Sequence, residues 1–139
     1  DANVWVASIQ TTTRFPDYWR VSFGAAALTD SVRLSDANPD LNGVRWSSGS
    51  RLVSYVTEKG DSLQGALILP AGYEEGKKYP TLTFIYELQS DNLNTFWSPN
   101  FSSSPNALIG AHTSRGYAVF LPDIVYKIND PGMSAVWSV

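Results

Sequence analysis

The stretch GYAVFLP at residues 116–122, together with TLTFIY at residues 81–86, decides the fold of this chain. Both runs are short, apolar and rich in β-branched or aromatic residues, which is typical of strands covered on both faces of a parallel sheet. Parallel neighbours need a crossover of about a dozen residues or more, and residues 87–115 are long enough. Ser104, Pro105 and Gly116 carry helix start and stop signals, so we predict a helix over about 105–114.

A hairpin precedes these strands. Residues 52–57 and 63–70 are two apolar runs, and residues 58–62 between them contain Gly60. A short loop with glycine between two such runs predicts an antiparallel pair. Pro70 marks the end of the second strand because proline cannot donate to a ladder. The chain from residue 51 onward is therefore predicted to be an α/β fold that is rich in strands.

The N-terminal part is predicted to consist of short strands. Residues 4–9 and 19–23 carry the β-branched and aromatic types that strands prefer, and residues 14–18 are predicted to turn between them because they contain Pro16. Residues 33–43 are dense in Asp, Asn, Pro and Gly, which indicates a boundary. Strand-like sequence resumes at 44–46.

Composition excludes several classes of function. The net charge is −3 and the ten Lys and Arg residues are scattered, so we expect no nucleic-acid partner. The chain has no Cys, hence no disulfide and no thiolate metal site; the compartment stays open, with a periplasmic or secreted location favoured over a cytoplasmic one. No apolar run approaches the length of about 20 residues that spans a bilayer, so no membrane partner is expected. No cofactor or metal is predicted.

A serine nucleophile is not found. In α/β-hydrolases the nucleophile lies in a Gly-x-Ser-x-Gly elbow between a strand and a helix. The nearest imitation, residues 132–136 around Ser134, lacks the second glycine and follows a turn. Asp130 before Pro131 instead predicts a helix start. His112 is the single histidine, and its place in the predicted crossover helix favours a packing or surface role over that of a base.

Four other groups of residues have an ordinary structural interpretation that we favour. Glu74 and Glu75 are adjacent and lie beside lysines, so solvation is expected. Asp36 and Asp40 are interpreted as turn caps, since the segment lacks the glycine and terminal glutamate of a calcium loop. Aromatic residues at strand spacing are more often core than sugar-binding, which applies to Trp5, Trp19, Trp46, Trp97 and Trp137. Residues 100–102 form a glycosylation sequon that matters only in a eukaryotic secretory setting.

Several strings together resemble the prolyl oligopeptidase family of serine peptidases, which includes dipeptidyl peptidase-like enzymes. They are LSDANP at 34–39, GDSLQGALILP at 60–70, KYP at 78–80 and SRGYAVFLPD at 114–123. Members of that family join a β-propeller to an α/β-hydrolase domain. The resemblance implies that residues 1–50 are the last propeller strands and that residues 51–139 are the N-terminal part of the hydrolase domain. It also implies that the nucleophile lies outside this chain, which alone is expected to be inactive.

One functional position of that family matches Tyr86. A tyrosine just after the equivalent strand donates its hydroxyl to the oxyanion hole of such enzymes, and loss of one such donor costs about 10²–10³ in rate. The alternative is that Tyr86 packs at a strand end with its hydroxyl in water. Many relatives continue with a glycine-rich turn, whereas this chain reads Glu87-Leu88-Gln89-Ser90.

Two other functions stay open. One is a self-contained β-rich binding module for carbohydrate or protein. The other is an interaction protein, because an incomplete sheet leaves a strand edge that recruits another chain. The family resemblance implies a peptide substrate in the complete protein. The open strand edge implies self-association or pairing with the rest of the hydrolase.

Overall fold

Two β-sheets dominate the computed structural model, which describes residues 4–97 and 108–139. The first sheet is an antiparallel meander of β1 (Val4–Thr11), β2 (Arg14–Phe23) and β3 (Leu28–Arg33). The second has the order β4-β5-β7-β6, with β4 at Ser50–Val56, β5 at Ser62–Ile68, β6 at Thr81–Thr83 and β7 at Ala118–Pro122. The helices are short: α1 (Ile109–Thr113), α2 (Pro131–Trp137) and 3-10 turns at Pro39–Gly43 and Ser90–Asn94. The predicted strand-rich character is confirmed.

The first sheet corrects two sequence-based expectations. Residues 14–18 do not turn; they begin β2, and the turn lies at Thr12 and Thr13. Pro16 is tolerated because the register between β1 and β2 shifts near it and because β3 pairs with β2 only from Trp19 onward. A proline at such an irregularity removes no ladder hydrogen bond. Strand β3 was not anticipated, and all its residues are exposed.

The second sheet follows the predicted pairing. Strands β4 and β5 form the antiparallel hairpin, with Val53 opposite Gly65. Strands β6 and β7 are parallel, with Leu82 opposite Val119, and the chain between them contains α1. The predicted crossover helix at 105–114 is therefore present in its second half, whereas its residues 105–107, with the proposed cap at Ser104, lie outside the described residues. Residues 44–46 do not form a strand, contrary to expectation.

The core lies beside α1. Its buried side chains come from β5, β7 and α1: Ala66, Ile68, Val119, Leu121 and Ile109, with Phe84, Leu93 and Trp97 packed against them. Strand β7 is covered on both faces, as predicted: four of its five residues are buried, and α1 packs against it. Strand β6 is exposed throughout, so the same prediction is wrong for it. Among the described strands it pairs with β7 alone and forms an edge.

Near its first turn, the first sheet contacts two loops outside the second sheet, at Ser47 and Phe96. The ring of Phe15 meets Phe96 edge-on, with centroids 5.5 Å apart. The backbone N–H of Phe96 donates to the side-chain oxygen of Gln10 at 3.1 Å, and Ser47 Oγ donates to the carbonyl of Thr12 at 3.3 Å. The described helices are all too short to cross a lipid bilayer.

Candidate functional site

The carboxyl ends of β6 and β7 lie at the same edge of the sheet because the two strands are parallel. Tyr86 follows β6 by three residues, and Asp123 follows β7 directly. In open α/β sheets ligands bind in the crevice outside the carboxyl ends of parallel strands. This edge is therefore the place where the topology favours a site, and we call residues 84–90 and 123–126 the carboxyl-edge loops.

Tyr86 is largely exposed at this edge, with 57% of its surface accessible. Its backbone is held in place, since the hydroxyl of Tyr126 donates to its carbonyl oxygen at 2.7 Å. The geometry leaves the phenol free to approach a bound group, as an oxyanion-hole donor requires. It also agrees with the alternative, a tyrosine at a strand end whose hydroxyl is in water.

Asp123 is the polar residue that sequence reasoning missed. It is 6% exposed, and one carboxylate oxygen accepts the backbone N–H groups of Gln89 at 2.6 Å and Ser90 at 2.7 Å. Two amide donors satisfy the buried charge, which is the condition for burying a carboxylate. The signal in the sequence was a lone Asp directly after a buried strand. Nothing in the sequence indicated that its partners would lie more than thirty residues earlier.

Two neighbouring clefts, which share Ser62, Leu63 and Val125 in their linings, open beside this edge. The larger, of about 470 Å³, is lined by Tyr55, Gln64, Leu88, Asp123 and Val125 among others. The smaller, of about 240 Å³, lies between the β4–β5 hairpin and α2 and includes Lys59, Lys127 and Trp137.

The phenol of Tyr55 closes one side of the larger cleft. Burial raises the pKa of Tyr55, and the charge of Asp123 raises it further. Its hydroxyl therefore stays protonated and donates to the carbonyl of Ser138 at 2.7 Å.

Ser134 has a structural role. It is 3% exposed, its hydroxyl donates to the carbonyl of Asp130 at 2.6 Å, and it accepts the N–H of Lys127 at 3.0 Å. The hydroxyl thereby ties the loop before α2 to the first turn of the helix, while the side chain of Asp130 makes no capping hydrogen bond. The helix is where the sequence predicted it, and the environment of Ser134 agrees with the expectation that it is not a nucleophile.

The remaining candidates are dispersed. The ring of His112 packs edge-on against Tyr117 with centroids 6.0 Å apart, which agrees with the packing role. Glu74 forms a weak ion pair with Lys77 at 3.5 Å, and Asp36 pairs with Arg33 at 2.5 Å. Within residues 4–97 and 108–139, no three acidic or histidine side chains converge to hold a metal ion. The sequon at 100–102 lies outside the described residues.

The tryptophans do not share an exposed surface. Trp5 is exposed, whereas Trp19, Trp46, Trp97 and Trp137 are all partly buried. The indole N–H groups of Trp19, Trp46 and Trp97 are shielded from solvent. Trp137 lies under the ammonium group of Lys59, 4.3 Å from the ring centroid. Four of the five therefore contribute mainly to packing.

Solved structures of peptidases share this fold. The AtxE2 isopeptidase with an astexin bound superimposes with a TM-score of 0.57 over 91% of this chain, at 16% identity. An acylaminoacyl peptidase in complex with a chloromethyl ketone superimposes with a TM-score of 0.56 over 86% of this chain, at 15% identity. The acylaminoacyl peptidase of Pyrococcus horikoshii superimposes with a TM-score of 0.54 over 86% of this chain, at 17% identity.

The present chain spans only 17% to 18% of the length of those proteins. No protein-family model matches the chain, and no curated protein matches it in sequence. The comparisons thus define a class, a strand-rich fold shared with a segment of peptidases.

Proposed function

We propose that the chain is a segment of a prolyl oligopeptidase-like serine peptidase. In this proposal residues 1–50 are the last propeller strands and residues 51–139 open the α/β-hydrolase domain. The complete enzyme hydrolyses short peptides through an acyl-enzyme formed on a serine outside this chain. Superposition on three peptidase structures over 86% to 91% of the chain supports the assignment.

The observation that carries the proposal is the mixed sheet itself. An antiparallel hairpin leads into a parallel pair joined through a crossover, and α/β sheets often carry such an antiparallel edge. In an α/β-hydrolase the nucleophile stands at the top of the sheet, and the oxyanion hole includes a donor from the loop after an early strand. The loop after β6, which begins at Phe84, lies at the carboxyl end of a parallel strand and is the one to which the proposal gives that donor.

Tyr86 has a definite part in the proposed reaction. When the serine oxygen adds to the peptide carbonyl, negative charge develops on the carbonyl oxygen, and the phenolic hydroxyl donates a hydrogen bond to it. A base outside this chain passes the proton of the serine hydroxyl to the departing amine as the C–N bond breaks, and water then hydrolyses the resulting ester, which releases the acid and restores the serine. A preorganised donor lowers the barrier because it is stronger toward the developing oxyanion than toward the ground-state carbonyl.

The test uses the full-length protein that contains this chain. A serine-reactive phosphonate is expected to block hydrolysis of fluorogenic dipeptide substrates and to label a serine outside residues 1–139, while the isolated chain is expected to show neither turnover nor labelling. Tyr86→Phe should lower kcat by about 10²–10³. Tyr18→Phe, which removes an equally exposed phenol on the other sheet, should not. Labelling within residues 1–139, or no hydrolysis by the full-length protein, overturns the proposal.

The alternative of a self-contained binding module is not favoured, because the solved structures that share the fold are peptidases. The partly buried tryptophans also offer little of the exposed aromatic surface that a sugar-binding face needs.

A further inference from the structure

Four hydrogen bonds join the two carboxyl-edge loops. Asp123 accepts the amides of Gln89 and Ser90, as described above. The N–H of Ile124 donates to the carbonyl of Glu87 at 3.2 Å, and the hydroxyl of Tyr126 donates to the carbonyl of Tyr86 at 2.7 Å. Every residue from Tyr86 to Ser90 except Leu88 therefore has a backbone group bonded to residues 123–126.

The backbone of Asp123 is itself held by the second sheet. The backbone N–H of Asp123 donates to the carbonyl of Gln64 at 2.9 Å, which continues the β5–β7 ladder by one residue. On the other side, the N–H of Phe84 donates to the carbonyl of Phe120 at 3.0 Å and extends the β6–β7 pairing. Asp123 thus extends the sheet, whereas the segment that it holds is exposed at residues 85–88 and turns inward at Gln89, which is buried.

We propose that Asp123 is a positioning residue for Tyr86. This inference rests on the proposed function. The buried carboxylate of Asp123 fixes the backbone of residues 87–90, and the hydrogen bond from Tyr126 fixes the carbonyl of Tyr86. The phenol of Tyr86 is thereby held where the oxyanion forms. A functional side chain on a loop needs such supporting hydrogen bonds to stay in its productive geometry.

The test compares variants of the full-length enzyme. Asp123→Ala removes both carboxylate oxygens, and kcat is expected to fall at least about tenfold while KM changes little. This fall is part of the loss that follows removal of an oxyanion-hole donor itself. Asp123→Asn keeps an acceptor oxygen and should recover most of that loss. Asp91→Ala removes a nearby exposed carboxylate and serves as the control.

Two readouts separate positioning from general stability. In the Tyr86→Phe background, Asp123→Ala is expected to cost no more than about twofold, since a residue that acts through Tyr86 has nothing further to lose. Amide hydrogen exchange of residues 86–91 should rise in Asp123→Ala while exchange in β4 and β5 stays unchanged.

Equal losses in both backgrounds, or unchanged exchange at 86–91, overturn the role of Asp123 and leave the peptidase function intact. Full activity of Tyr86→Phe overturns the route through Tyr86. If the full-length protein hydrolyses no peptide, the proposed function fails, and the positioning of Tyr86 fails with it.

Discussion

At the scale of single residues, Asp17 shows how one buried carboxylate organises a distant turn. It lies in β2 and is 3% exposed. It accepts the N–H of Ala37 at 2.9 Å, the hydroxyl of Ser35 at 2.8 Å and Nε of Arg33 at 2.9 Å. The N–H of Ala37 contributes most to lowering the pKa of Asp17, and Ser35 and Arg33 act in the same direction against the effect of burial.

Replacing Asp17 is expected to destabilise the first sheet. Asp17→Ala leaves the amide of Ala37 and the guanidinium of Arg33 without their acceptor, and Asp17→Asn should be milder because one oxygen remains. Asp30→Ala is the matched control, since its exposed ion pair with Arg20 is worth less than about 1 kcal/mol. Urea unfolding followed by tryptophan fluorescence measures the free energy of unfolding of each variant. A larger loss of that free energy in Asp30→Ala than in Asp17→Ala contradicts the prediction.

The stabilisation from Asp17 is expected to depend on pH in one direction. Its folded-state pKa lies below the unfolded value of 3.8, so the folded protein binds the proton less readily. The contribution is fully present well above pH 3.8 and is lost as the pH falls below 3.8 and through the lowered folded pKa. The difference in unfolding free energy between the wild type and Asp17→Asn should therefore shrink on acidification. A difference that grows between pH 6 and pH 3 contradicts the assignment.

Gly65 is required by close packing inside the second sheet. A Cβ added there would lie 2.7 Å from Cε2 of Phe120, 2.8 Å from the carbonyl oxygen of Leu121 and 2.8 Å from Cα of Pro122. Because two of these atoms belong to the backbone of β7, Gly65→Ala must push the strands apart. We expect a loss of about 1–3 kcal/mol.

The control for this substitution is Gly132→Ala in α2. An added Cβ meets nothing within 4 Å there, and alanine favours a helix, so stability should stay equal or rise by up to about 1 kcal/mol. Thermal and urea unfolding measure the stability of both variants against that of the wild type. A Gly65→Ala protein as stable as the wild type is incompatible with the close contact between β5 and β7.

At the scale of elements, the β4–β5 hairpin depends on the conformation of its loop. Gly60 has a φ of 85°, in the left-handed region that side chains disfavour, and its N–H donates to the carbonyl of Thr57 at 2.9 Å. Gly60→Ala is expected to cost about 1–2 kcal/mol, and Gly60→Asn less, because asparagine tolerates this region better. Equal urea midpoints for the two variants contradict this account of the turn.

The elements also show where sequence patterns succeed. The hairpin, the parallel pair and α2 follow from apolar runs bounded by glycine and proline, which act over a few residues. The turn predicted at 14–18 is wrong because the register shift beside Pro16 accommodates its ring within β2. Strand β3 was missed because its exposed residues lack the alternation of a half-buried strand.

At the scale of the whole molecule, exposed β6 is expected to recruit a partner. Its three residues are exposed, and among the described strands only β7 pairs with it. An unpaired edge presents free N–H and C=O groups to another chain, so we predict concentration-dependent self-association of the isolated 139-residue chain.

Leu82→Lys should reduce the association, because a charged residue on an edge strand disfavours pairing. Val136→Lys in α2, which is also exposed but lies outside every strand, is the control for added charge. Light scattering and sedimentation measure the effect. A monomer at all concentrations, or equal effects of the two lysines, is the result that counts against pairing through β6.

The sequence by itself determined the local elements of this protein. Apolar runs, turn residues and the strings at 34–39, 60–70, 78–80 and 114–123 indicated a strand-rich chain, a hairpin, a parallel pair and a resemblance to a peptidase family. Such signals depend on neighbouring residues and are present before the chain folds. They also placed Tyr86 after its strand.

Only the tertiary structure decided which side chains meet. Asp123 reaches amides at 89 and 90, and Asp17 holds the turn at 33–37, because strand pairing brings together segments that are far apart in sequence. Burial is decided in the same way: four of the five residues of β7, which lies inside the sheet beside α1, are buried, whereas all three residues of β6 at the edge are exposed. Neither property is encoded in the few residues around each position.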